Sequence, residues 1–354
     1  MQSLKDKLQN YLTKKWPEAQ SVVIENLADL PGGWSKRTWS FDAIVDRDNV
    51  KTVYPLILRQ DTPKAAAIML TDRENEHIII TRVREHTTVP VPRSYFVEMD
   101  ATVFGEPAMI IERLIGNSQP VTLFQKPELQ EEARNTAKHY CEQLAALHLS
   151  RQEALNSDNR FNDPRNLGIN VSSWDSYIDS SIEHFISEYP KFAYDPFPIY
   201  YDAILHLRRN KPRPLPLVLL HGEVNPNNAI YKDGKVLGLI DWELAHIGDP
   251  REDVAWFQQV DFLAGTKFFE SVDFPGGFLG YYNHLTGFNI SIPELLYFNL
   301  FASAANMAQL MAPSRRRLEG QHREIFHYYA MEQIIPAFFV GMGKLLGYSL
   351  PTPA

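Results

Sequence analysis

The chain predicts an α+β protein in which a small antiparallel sheet precedes a larger helical region. Short alternating or apolar runs fill residues 21 to 112, whereas patterns of helical period dominate from about residue 117 onward. A single hairpin signal, Lys232-Asp-Gly-Lys235 between two apolar runs, interrupts the helical part. Strands first and helices later favour a sheet lobe and a helical lobe over repeated βαβ units. The division falls at Arg113 to Asn117, giving lobes of residues 1–116 and 117–354.

Leu4, Leu8 and Leu12 recur at helical spacing among Lys and Gln, so the first segment reads as an amphipathic helix packed on the sheet that follows. It has no apolar block and no small-residue cleavage site, unlike a secretory leader, and Asp6 and Glu18 argue against an organelle-targeting helix. Val22 to Ile24, Thr38 to Val45 and Tyr54 to Arg59 read as strands, with Pro55 near the start of the third, where a missing amide is tolerated. Asp72 to Glu85 is compatible with a helix, Val89-Pro-Val-Pro-Arg93 with a rigid extended link, and Ala108 to Glu112 with a buried strand. Helical patterns then cover 129–150, 174–189, 292–311 and 322–345, and 209–216 is a Pro-rich connector. Gly248-Asp-Pro-Arg-Glu252 reads as a helix start, with Asp249 as N-cap, Pro250 at the first helical position and Glu252 closing a capping box. Asp253 is read as structural too.

A net charge of −8 argues against a general nucleic-acid surface, because counterion release needs a basic face. The longest apolar runs fall short of a membrane span. The single cysteine, Cys141, rules out an intrachain disulfide framework or a thiolate zinc cluster, and fits a reducing, cytoplasmic setting.

Chemistry concentrates in His221-Gly-Glu-Val-Asn-Pro-Asn-Asn228 and Ile240-Asp-Trp-Glu243. If Asp233 and Gly234 form the turn, Asn228 faces Leu239 and Asp241 lies two residues further on. Such diagonal neighbours sit about 7–8 Å apart, close enough to share one ion. An Asn amide oxygen and an Asp carboxylate are the hard donors that Mg²⁺ uses beside water and phosphate. Glu223, at the mouth of the same loop, offers a carboxylate for a hydroxyl proton. Each of these residues alone also suits an ordinary turn; their joint pattern is what points to a site. His221 reads as an oriented structural histidine.

These residues resemble the aminoglycoside phosphotransferase-like kinases, whose pattern is His-Gly-Asp-x-x-x-x-Asn followed by Asp-x-x and Gly-Asp-Pro. The second half, Ile240-Asp-Trp-Glu-Leu-Ala-His-Ile-Gly-Asp-Pro250 with Asp253-Val-Ala255, is close to the branch joined to acyl-CoA dehydrogenases. The resemblance implies a two-lobed protein-kinase-like fold and Mg²⁺-dependent transfer of a phosphoryl group from ATP, or GTP, to a hydroxyl of a small-molecule acceptor. It assigns Asn228 and Asp241 to the metal and Glu223 to the base. It places Gly32, Gly33 and Ser35 in the nucleotide-covering turn and Arg59 on the phosphates, where many relatives carry Lys. Glu74 becomes the acid that pairs with that base, Glu76 being the fallback, and Glu112 to Leu114 the hinge that offers backbone groups to the nucleotide base. His221, Asp249 and Asp253 become structural supports. No Gly-x-x-x-x-Gly-Lys-Ser/Thr is present, which excludes a P-loop enzyme.

The chain departs from the pattern at Glu223, where the family carries aspartate. One methylene changes the reach of the base, and a displacement of about 1 Å can cost about 100-fold in rate. The alternative reading is therefore a nucleotide-binding module of the same fold without transfer activity. On the acceptor side, Phe268, Phe269, Phe274, Phe278, Tyr281 and Tyr282 suit either helix packing or an aromatic pocket. Glu270 and Asp273 would suit a cationic acceptor, and Arg315 to Arg317 an anionic one.

Overall fold

The computed structural model describes residues 3–30, 36–62, 72–193, 197–318 and 333–349. Helix α1 (Leu4–Lys15) opens on a Ser3/Asp6 capping box and lays Leu8, Tyr11 and Leu12 on the sheet. Strands β1 (Ser21–Asp29), β2 (Lys36–Arg47), β3 (Val50–Asp61), β4 (Ser94–Glu98) and β5 (Ala108–Glu112) form one antiparallel sheet in the order β1-β2-β3-β5-β4. Asp48 and Asn49 turn β2 into β3 with φ of +52° and +65°, the left-handed pair that a two-residue hairpin needs.

Pro55 lies well inside β3 rather than near its start, because the strand begins at Val50. Its carbonyl accepts the Arg113 amide, and the one return bond that its missing N–H forgoes falls just past the end of β5 at Glu112, at the margin of the ladder. Strand β5 is buried on both faces. Ala108 and Ile110 meet the α1 side, while Met109 and Ile111 meet Ile79, Ile80 and Val83 of α2 (Arg73–His86). That two-sided burial explains its unbroken apolar run. Strand β4 lies outside the strands expected from the sequence; all five of its residues are half-buried, so no alternation marks it.

After short helices α3 (Ala101–Phe104) and α4 (Val121–Gln125), helix α5 (Gln130–His148) forms the spine of the second core. Around it stand α6 (Gln152–Leu155), α7 (Trp174–Phe192), α8 (Pro198–Arg209), α9 (Pro250–Leu263), α10 (Phe268–Ser271), α11 (Gly277–Thr286), α12 (Ile292–Leu318) and α13 (Ile335–Leu345). Cys141 is fully buried in α5, with its Sγ against the Phe278 carbonyl at 3.5 Å. Helix α9 starts as its sequence requires: Asp249 caps, Pro250 occupies the first turn and Glu252 closes the box. Phe268, Phe278 and Tyr282 are core residues, and Phe257–Phe278 and Phe269–Phe278 stack with centroids 4.9 and 5.2 Å apart. Glu270 and Asp273 are exposed. Phe269, Phe274 and Tyr281 are half-buried and pack against the same core.

Two small ladders complete the fold: β6 (Val218–Leu220) with β9 (His246–Gly248), and β7 (Ala229–Lys232) with β8 (Lys235–Leu239). The β7–β8 turn is Asp233-Gly234, with φ of +51° and +73°. Its register differs from a regular hairpin. Tyr231 pairs with Val236 but Ile230 pairs with Gly238, so Leu237 is a bulge residue. Asn228 consequently meets Ile240, whose amide donates to its carbonyl at 3.0 Å, and not Leu239. The strand crossing between the two parts is tight at Gly116, where a Cβ would lie 2.5 Å from the Tyr231 carbonyl oxygen.

Candidate active site

The loop from His221 to Asn228 leaves β6 and is pinned by buried groups. One Asp253 carboxylate accepts the His221 amide at 2.9 Å and the Gly222 amide at 3.0 Å, and its Oδ2 also meets His148 Nε2 at 3.2 Å. Burial alone would raise the Asp253 pKa; His148 and the loop donors outweigh it, and the carboxyl sits below the ordinary range. The His221 ring donates from Nε2 to the Ile240 carbonyl at 3.0 Å and accepts the Glu223 amide at Nδ1. Burial holds this imidazole below its usual pKa, which suits the neutral tautomer those two bonds require. Gly222 has φ +81°, and a Cβ there would stand 2.2 Å from the Leu244 carbonyl oxygen. The loop closes as the Asn225 and Asn228 side chains both donate to the Glu223 carbonyl, at 3.0 and 2.9 Å.

Three carboxylates converge beside this loop. Ligand oxygens of Glu223, Asp241 and Glu243 all lie within 4.8 Å of one another. Asp241 adopts φ +69°, a left-handed conformation that Asp tolerates better than most residues. Burial, then Asp241 and Glu243, push the Glu223 carboxyl well above its ordinary range. Asp241 moves the other way: burial opposes ionisation, but Arg59 overrides it.

The sheet lobe answers these acids with cations. Arg59 of β3 pairs with Asp241 at 2.7 Å and with Glu76 of α2 at 2.6 Å. Arg73 bonds Asp61 at 2.7 Å, Glu243 at 2.8 Å and Glu76. Lys36, at the start of β2, reaches Asp61 and Glu243, each at 3.2 Å. Arg73, Glu76 and Glu243 are almost wholly buried in these pairs while Asp61 and Asp241 are part-exposed, and the pairs join the sheet lobe directly to the loop after β8.

The residue that meets Arg59 is thus Glu76, which corrects the expectation of Glu74. Helix α2 buries Arg73, Glu76, Ile79, Ile80 and Val83, a stripe of helical period, and Glu74 lies off that stripe. Its carboxylate is half exposed and 3.5 Å from Arg160. The Asn228 amide donates its NH₂ to the Glu223 carbonyl, so Oδ1 is the atom it could offer a cation. Asp249 is a buried structural acid, bound by Trp174 Nε1 at 2.6 Å and by Arg251 Nη2 at 2.6 Å. Glu112 ends β5 and accepts the Arg93 amide at 3.0 Å. Leu114 lies against Gly238 of the hairpin, where a Cβ would come within 2.4 Å of its Cδ1. Gly32, Gly33 and Ser35 lie outside the described residues, as do the side chains of Arg315, Arg316 and Arg317. Glu243, Lys36 and Asp61 are site residues that the sequence pattern did not single out. Asp241-x-Glu243 did carry a signal, a second carboxylate two residues beyond the acid that the motif marks. Nothing local marked Lys36 or Asp61.

The acids have the chemistry of a divalent-cation site: hard oxygens that lie mutually close. A sheet lobe and a helical lobe with such a cluster between them define a kinase-like phosphotransferase. The chain belongs to the phosphotransferase enzyme family (APH), which its residues 26–286 match. Solved structures agree on the fold. A putative aminoglycoside phosphotransferase from Ralstonia eutropha aligns with a TM-score of 0.68 at 17% identity, covering 97% of this chain and 98% of that one. Aminoglycoside phosphotransferase APH(4)-Ia, in complex with ADP and hygromycin B, gives 0.61 at 14% identity over 98% and 100%. Macrolide 2'-phosphotransferase MphH from Brachybacterium faecium gives 0.56 at 16% identity over 98% and 100%. A probable acyl-CoA dehydrogenase of Arabidopsis thaliana, IBR3, is 25% identical over 241 residues, which is 63% of this chain but only 28% of that protein. Among the described residues no helix is long and apolar enough to cross a membrane.

Proposed function

We propose that the protein transfers the γ-phosphate of ATP, or of GTP, to a hydroxyl of a small-molecule acceptor in the cytoplasm. The observation that carries this is the convergence of Glu223, Asp241 and Glu243 within 4.8 Å, with Arg59 on Asp241. Asp241, Glu243 and the Asn228 amide oxygen would hold Mg²⁺, which when bound neutralises phosphate charge and draws the neighbouring carboxyls toward their ionised forms. Arg59 binds phosphate oxygens while Glu76 keeps it in place. Glu223 receives the acceptor's proton on its free carboxylate. Gly222 and Asp253 keep the loop in register with the acids, so the base is delivered by a rigid turn. Backbone groups from Glu112 to Leu114 hold the nucleotide base, at the passage between residues 1–116 and 117–354.

The rival reading is a nucleotide-binding module without transfer. It is favoured by the raised Glu223 pKa, because a neutral carboxyl is no base, and by Arg59 covering an Asp241 oxygen. Nucleotide binding and Mg²⁺-dependent turnover across a broad panel of hydroxyl acceptors separate the two. Asp241→Ala should abolish turnover, Glu223→Asp should preserve or raise it, and Glu223→Ala should lower kcat about 100- to 10,000-fold. Full activity in Glu223→Ala would remove Glu223 from the base role. Binding with no transfer to any acceptor would establish the silent module.

A further inference from the structure

We infer that Lys36 is a second polyphosphate-binding cation, held on Glu243, one of the acids that a divalent ion would take. The inference rests on the phosphotransferase reading above and adds a residue to it. Lys36 is 8% exposed, an unusual state for a lysine, and its ammonium sits 3.2 Å from both Asp61 and Glu243. It begins β2 directly after residues 31–35, and it pairs across the sheet with Asp61 of β3. Arg59 stands two residues before Asp61 and makes the parallel connection to Asp241. Sheet-lobe cations therefore hold both acids of the Asp241-x-Glu243 pair: Arg59 on Asp241, and Lys36 together with Arg73 on Glu243.

This arrangement has a definite consequence for ligand entry. When a divalent ion takes Asp241 and Glu243, Arg59 and Lys36 lose those partners together; Arg73 loses Glu243 as well but stays fully engaged by Asp61 and Glu76. Each keeps a second acid on its own lobe: Glu76 for Arg59 and Asp61 for Lys36. The retained acid leaves each cation anchored beside the ion, with hydrogen-bond donors released toward the oxygens of the incoming phosphates. Asp61 is then the positioning residue for Lys36, as Glu76 is for Arg59. A purely structural lysine would instead be indifferent to how many phosphates a ligand carries.

The test is the phosphate dependence of binding. Affinities of adenosine, ADP and ATP are measured by calorimetry with Mg²⁺ for the wild type, Lys36→Met and Lys36→Arg. Lys36→Met should weaken ATP about 10- to 100-fold, the range for one charge-assisted hydrogen bond, and leave adenosine unchanged. Lys36→Arg should recover most of the loss. Lys36→Gln serves the same purpose should the Met variant not fold, and adenosine affinity reports folding in either. Equal losses for adenosine and ATP, or an ATP affinity unchanged in Lys36→Met, overturn the inference while the phosphotransferase reading survives. A wild-type protein that binds no Mg-nucleotide at all overturns both.

Discussion

Replacing Asp253 by Asn tests whether one buried carboxylate holds the loop from His221 to Asn228. The residue is 1% exposed, and its carboxylate accepts from the His221 amide, the Gly222 amide and His148. An Asn offers one oxygen where Asp253 offers two. In its better orientation it keeps the His221 and His148 contacts and turns its NH₂ on the Gly222 N–H, a donor facing a donor. One buried amide left without an acceptor costs about 1–3 kcal/mol, and two bonds losing their charge assistance cost roughly 0.5–1 kcal/mol each. The sum is about 2–5 kcal/mol, or a shift near 1 M in the urea midpoint for an m-value of about 3 kcal/mol/M. The pH dependence carries a sign as well. The folded carboxyl lies below its unfolded value, so its stabilisation is complete above pH of about 4 and fades as pH falls through the folded pKa. The gap between wild type and Asp253→Asn should narrow on acidification below that point. A loss under about 0.5 kcal/mol, as for an ordinary surface substitution, would refute the role, and so would a gap that widens toward low pH.

Two contrasts extend this reasoning. Glu76→Ala removes the acid shared by Arg59 and Arg73 and should destabilise the fold by about 3–5 kcal/mol, whereas Glu74→Ala should stay within about 0.5 kcal/mol in the same denaturation assay. Equal effects would show that the α2 stripe has been misplaced. Gly222 and Gly168 share a φ near +80°, but a Cβ at Gly222 would meet a carbonyl oxygen at 2.2 Å, while nothing lies within 4 Å of one at Gly168. Gly168→Ala should cost only the backbone term of about 1–2 kcal/mol, and Gly222→Ala should cost more and displace Glu223, with turnover falling at least about tenfold.

Local chemistry made much of this protein legible. The Asp249-Pro-x-Glu252 start of α9 and the Asp233-Gly234 turn follow from capping and left-handed turn preferences that act within four residues. The α1 stripe and the two-faced run of β5 follow from periodicity. What stayed hidden depended on partners far along the chain. Glu74 and Glu76 are equally plausible until the buried face of α2 is known. The bulge at Leu237 shifts register without any Gly or Pro at the bulged residue to announce it. Lys36 and Asp61 look like ordinary strand-end charges until Glu243, nearly two hundred residues away, comes between them. Helix α8 places Tyr200, Ala203, Ile204 and Leu207 inward at helical spacing after Pro198, a pattern overshadowed in the sequence by the prolines around it.

Cys141 gives the protein a built-in clock. Its thiol is the only one in the chain, is buried in α5 against α11, and has a pKa raised by that burial. A thiol reagent can therefore label the native protein only when the helices around α5 part, and the labelling rate counts those openings without an engineered probe. Since α5 is central to the helical core and the lobe-joining ion pairs lie elsewhere, a ligand that slowed labelling would be tightening the core itself, and one that left it unchanged would be acting on the cleft alone.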